Sequence, residues 1–148
     1  MPAWGPQLFD NDATESAIHD LLESPDPQDV IREAIVLAQA EPGELDDDEL
    51  AGLLAAAGAV DYLVYGTAYP SHEEGLRRLE ERLGAEAVAQ YEGPLSKLLG
   101  AVLADDTLRD FFADPDTTAD YGEYHTTVDA LRQRLSPEYH GTQETAAS

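Results

Sequence analysis

Residues 46–66 read DDDELAGLLAAAGAVDYLVYG, the longest apolar run in the chain, and they place the centre of the fold. With Leu50 at the origin of a helical wheel, Leu53, Leu54, Ala57, Val60 and Val64 fall in one stripe, while the opposite side carries only Ala, Gly and Tyr. A helix apolar on both sides buries more than one face. Asp61 and two glycines interrupt the run, and it is too short for a membrane span. The aspartates at 46–48 put negative charge at the start of this helix, where its dipole favours it.

Working outward, the chain divides into amphipathic segments separated by Pro and Gly. Asp12 to Glu15 has the spacing of a capping box, so a first helix runs from there to about Ser24, with Ala17, Ile18, Leu21 and Leu22 as its apolar stripe. Pro25 and Pro27 break it, and Asp26 caps a second helix whose Val30, Ile31, Ala34, Ile35 and Ala38 repeat at helical spacing until Pro42 and Gly43. After Pro70, Ser71 caps a helix carrying Leu76, Leu79 and Leu83. Gly84 and the Gly93-Pro94 pair bound a short segment, and Leu95, Leu98, Leu99, Val102 and Leu103 give the cleanest amphipathic pattern in the sequence. Asp106 caps a short turn holding Leu108, Phe111 and Phe112, residues 114–122 read as an acidic loop, and a last helix carries Tyr121, Tyr124, Val128, Leu131 and Leu135 before Pro137. Arg132 and Arg134 sit in its final turn, as the dipole prefers. Residues 1–10 hold the one Trp, two prolines and a glycine, and form an extended arm lying on the body. Residues 137–148 have little to bury and are expected to be a mobile acidic and polar tail.

Three features invite a chemical reading. Asp61 projects within the Leu50, Leu54, Ala57 stripe, so it is a candidate buried acid: either an acid poised in a pocket, or half of a structural pair with one of the few arginines. Arg77, Arg78 and Arg82 form the one basic cluster; they can grip an anion, but exposed helix pairs with Glu73, Glu74, Glu80 and Glu81 account for them. The acidic loop resembles a calcium loop only superficially. With Asp114 and Asp116 as first and third ligands, Ala119 stands where Gly is needed and His125 where a bidentate Glu is required. The four histidines are scattered, without metal-ligand spacing, and no phosphate loop, nucleophile elbow or dinucleotide fingerprint is present. The sequence therefore assigns no catalytic residue, metal or cofactor.

At 148 residues the chain suits one domain, and without cysteine it has no disulfides or thiolate metal sites. No basic stretch followed by an apolar core marks a signal peptide, so the expected location is the cytoplasm. Thirty-one acidic against 8 basic side chains leave a formal net charge of -23. Such a surface repels nucleic-acid phosphates and anionic membranes, and favours a basic protein partner. Host salt or a high-GC genome explains the same composition.

The segment at 3–12, AWGPQLFDND, resembles the opening of a bacterial family of proteins known as domain of unknown function 4259, whose members begin with a Trp-Gly pair, then Phe, then an Asp-Asn-Asp-like run. SPDPQDVIREAI at 24–35, the Ala-rich central helix, VLADDTLRDFF at 102–112 and VDALRQRL at 128–135 are similar to its later segments. Pro2, residues 6–8 and Tyr124 depart from the family pattern. The resemblance implies a small helical protein and brings no catalytic residues with it. In the opening motif, Trp4 and Phe9 cover the core while Asp10, Asn11 and Asp12 cap the first helix, or else these five residues line a groove for a partner.

The expected architecture is all-α: a compact single domain over residues 1–136, with six or seven short helices around a buried central helix. Two functional classes follow. The first is a non-enzymatic cytoplasmic protein whose acidic surface recognises a basic protein, as an immunity or inhibitor protein would. The second is a small carboxylate-dependent hydrolase or ligand-binding enzyme using Asp61. The sequence does not specify an oligomeric state.

Overall fold

The computed structural model describes residues 12–40, 45–67, 69, 72–104 and 118–136, with the side chains of 12, 13, 47 and 118–124 left aside. The described residues form helices without a strand: α1 Asp12–Glu23, α2 Pro27–Ala40, α3 Asp47–Tyr65, α4 Glu73–Arg82, α5 Ala85–Val88, a 3-10 turn Ala89–Tyr91, α6 Glu92–Ala104 and α7 Thr118–Leu135. The all-α class is as expected. The arm at 1–10, the caps proposed at Ser71 and Asp106, and the tail lie outside the described residues.

Helix α3 is the hub, and each of the other helices packs against it. Every residue from Leu53 to Asp61 is buried, so the helix is enclosed on both sides. Ala makes this possible: it is the best helix former, and its small side chain lets neighbouring backbones come close. Around the hub, Ile18 and Leu21 of α1, Ile31 and Ile35 of α2, Leu76 and Leu79 of α4, Leu95 and Leu99 of α6, and Val128, Leu131 and Leu135 of α7 complete one contiguous core.

The ends of α3 are defined by local chemistry. Asp46 Oδ1 accepts the Glu49 N–H at 2.8 Å and Glu49 Oε1 accepts the Asp46 N–H at 3.1 Å, a reciprocal capping box. At the other end Gly66 adopts φ 69°, ψ 21° and its N–H donates to the Tyr62 carbonyl at 2.8 Å. A residue with a Cβ is strained in that left-handed conformation, so the helix stops there. The chain then turns back to bury Tyr69.

Two boundaries differ from the sequence expectation. Gly93 and Pro94 do not precede α6 but form its first turn, where the missing proline N–H has no intrahelical partner to lose. Helix α7 starts at Thr118, so residues 118–122 are helical and not part of a loop.

The basic cluster on α4 also divides. Arg77 pairs with Glu73 at 3.3 Å and Arg78 with Glu74 at 2.7 Å, both across one exposed turn and each contributing a few tenths of a kcal/mol. Arg82 instead reaches the carbonyls of Leu22 and Ser24 at the end of α1. These are carbonyls that a helix terminus leaves without internal donors. A Cβ built at Gly75 would lie 2.7 Å from Leu22 Cδ1, so a larger residue there would make the end of that leucine side chain shift beside the Arg82 junction.

Candidate functional site

Asp61, on α3, has a side chain with no solvent exposure. Three donor groups converge on its carboxylate. The Tyr69 hydroxyl donates to Oδ2 at 2.8 Å, Arg134 Nη2 donates to Oδ2 at 2.9 Å, and Arg134 Nε lies 3.1 Å from Oδ1 and 3.2 Å from Oδ2. All three are donors, the set an ionised carboxylate can satisfy. Among the described residues no buried side-chain polar atom lacks a hydrogen bond.

Each partner arrives by a distinct structural route. Tyr69 follows the Gly66 stop, which folds the chain back along α3 eight residues after the acid. Arg134 comes from the last turn of α7, on the edge of the Val128, Leu131, Leu135 stripe, 73 residues away from Asp61. Its side chain is one-third exposed, so the guanidinium joins the internal carboxylate to the surface. The dipole argument placed Arg134 correctly at a helix end, but its hydrogen bonds go inward.

The electrostatics follow from this geometry. Burial pushes the Tyr69 phenol well above a tyrosine's ordinary value of 10.0, and the Asp61 charge and hydrogen bond push in the same direction. Burial works against the Arg134 guanidinium, but the hydrogen bonds and charge of Asp61, with a contribution from Tyr69, outweigh it and raise Arg134 above an arginine's ordinary value. Because the folded-state value of Tyr69 lies above the unfolded one, its contribution is complete below about pH 10 and is lost as pH rises through the folded value. In an alkaline titration followed by phenolate absorbance, one tyrosine should ionise only together with unfolding. Tyr69→Phe should remove that delayed component, and its persistence in the variant would refute the assignment.

The described surface also carries depressions. Glu15, Ser16 and His19 of α1 and His72 before α4 line a cleft of about 430 Å³. His19 Nε2 lies 2.7 Å from Glu23 Oε2, with both side chains two-thirds exposed. No group of three metal-ligating side chains occurs among the described residues. A smaller groove of about 190 Å³ lies between α2 and α3, lined by Val30, Glu33, Ala34 and Leu37 and by Asp48, Glu49 and Gly52.

Of the residues singled out in the sequence, Asp61 is therefore located in full. Trp4, Phe9, Asp10 and Asn11 lie outside the described residues; Asp12 opens α1, and its side chain is not described. The sequence reading named Arg134 as a helix-end charge and not as the partner of Asp61, and it named neither Tyr69 nor the α2–α3 groove.

Fold and site together define an all-α domain built around an internal aspartate held by tyrosine and arginine, with no described helix long and apolar enough to cross a membrane. The chain belongs to the family described as Domain of unknown function (DUF4259), whose model matches residues 2–127. Neither curated proteins nor solved structures gave a match.

Proposed function

We propose that this domain is a non-enzymatic, cytoplasmic protein-binding module whose acidic surface takes a basic protein, in the manner of an immunity or inhibitor protein. The carrying observation is how the positive charge is used. Each of the six described arginines is engaged within the chain: Arg32 with Asp29, Arg77 with Glu73, Arg78 with Glu74, Arg82 with two carbonyls, Arg132 with Asp129 and Arg134 with Asp61. Asp61 is the one described acid that is buried, so the other described acids keep their charge at the surface. A one-signed surface accelerates encounter with an oppositely charged partner and makes the association salt-dependent. It disfavours nucleic acid and anionic membranes. The carboxylate-enzyme reading depended on Asp61 as an available acid, whereas its carboxylate is enclosed and engaged by three donor groups.

The test is affinity capture from a lysate of the native organism at low and at high salt, with retained proteins identified by mass spectrometry. A single basic protein held in near-stoichiometric amount at low salt and released at high salt is the expected result. If nothing specific is retained at either salt, the charge is an adaptation to the host, and stability should instead rise steeply with salt as self-repulsion is screened.

A further inference from the structure

Resting on that reading, we infer that the α2–α3 groove is the docking surface, and that its occupant is a basic amphipathic helix of the partner protein. Helix α2 carries two apolar stripes. Ile31, Ile35 and Ala38 face the core, while Val30, Ala34 and Leu37, at the same 4-then-3 spacing, form one wall of the groove. Val30 and Ala34 are half-buried and also pack against the core, whereas Leu37 is 46 % exposed and left open at the groove. Acids stand on both sides, Glu33 on α2 and Asp48 and Glu49 on α3. An apolar wall on α2 with acids on both helices matches a helix with Leu-type residues on one face flanked by Lys or Arg. A second copy of this chain brings rims of the same sign and a net charge of -23, and is repelled.

Gly52 supplies an independent observation. It lies inside α3 at ordinary negative φ, and a Cβ built on it meets no described atom within 4 Å. Glycine in a helix interior is less stable than alanine, and nothing in the described packing requires it. It keeps the groove floor low, leaving room for an incoming side chain.

The probe is a synthetic Leu/Lys peptide with Leu at helical i, i+3, i+4 spacing, titrated at low salt into the full chain and followed by backbone NMR. A peptide of equal charge with Ser replacing Leu is the control. Shifts should concentrate at residues 30–37 and 48–52 for the Leu/Lys peptide. Leu37→Gln should weaken its binding about tenfold. Gly52→Ala should weaken it while raising the melting temperature, opposite signs that a purely structural glycine would not produce. If both peptides perturb the acidic surface broadly and equally, the groove proposal fails while the acidic-surface reading survives; if neither binds at low salt, both fail. Shifts of the same residues with protein concentration alone would assign the groove to a second copy. Contacts from Trp4 or Phe9 to Leu37 in the free protein would assign it to the chain's own arm. Either result overturns the proposal.

Discussion

Arg134→Met should destabilise the protein by about 3 kcal/mol, because it strands the Asp61 carboxylate in the core with Tyr69 as its remaining identified donor. Removing one member of a buried pair costs roughly 3–5 kcal/mol, and the lower end applies because the Arg134 side chain is one-third exposed. The melting temperature should fall by roughly 10 °C, at about 2–4 °C per kcal/mol for a chain of this size. Asp61→Leu in the same background should recover part of the loss, since it removes the unpaired carboxylate but also takes the Asp61 acceptor from the buried Tyr69 hydroxyl. A urea double-mutant cycle should return a coupling of about 2 kcal/mol or more, within the range for residues in contact. A loss below about 1 kcal/mol for Arg134→Met would mean that the guanidinium pairs at the surface and contributes no more than exposed ion pairs do.

The second large effect concerns the enclosure of α3. Leu54 is fully buried, and Leu54→Ala should cost about 3 kcal/mol from lost transfer energy and the cavity left behind. Ala59 lies on the far side of the same helix and is also fully buried, so Ala59→Leu should cost about 1–3 kcal/mol by overpacking. An exposed helix face would accept that second change freely, because leucine is nearly as good a helix former as alanine. Loss of stability in both variants shows a helix packed all round; tolerance of Ala59→Leu would show a surface helix with one buried face.

These effects also indicate which parts of the fold were legible in the sequence. The apolar stripes located α1, α2, α3 and α4 because helical spacing and burial are local properties of each segment, and the two-sided apolarity of residues 50–65 implied a hub. Pro and Gly were less informative. Pro27 starts a helix as expected, but Pro94 sits inside a first turn, where its missing N–H costs no helix bond, and residues 118–122 are helical through Gly122. Asp61 stood out as an acid in an apolar stripe, yet its partners did not. Tyr69 lies beyond a glycine stop and Arg134 is 73 residues away, and no spacing rule links residues brought together by tertiary packing. The one local hint was the position of Arg134 at the edge of the α7 stripe. Arg82 was similarly hidden: its targets are backbone carbonyls, which any sequence contains. The groove left a clearer trace, a second apolar stripe on α2 and a glycine inside α3, but neither has meaning until the two helices are placed side by side.

Asp61 is an internal charge held by Tyr69 and Arg134, whereas the proposed binding uses charges on the surface. The most direct test is retention of the low-salt partner by two folded variants, Asp61→Asn and the doubly neutralised Glu33→Gln, Asp48→Asn, with folding of each verified by circular dichroism. Asp61→Asn should retain the partner as the unmodified protein does, despite a lower melting temperature, while the groove-rim variant should lose it with its stability intact. Partner loss on Asp61→Asn in a folded protein, with retention by the rim variant, would contradict that separation and make the buried aspartate part of the working site.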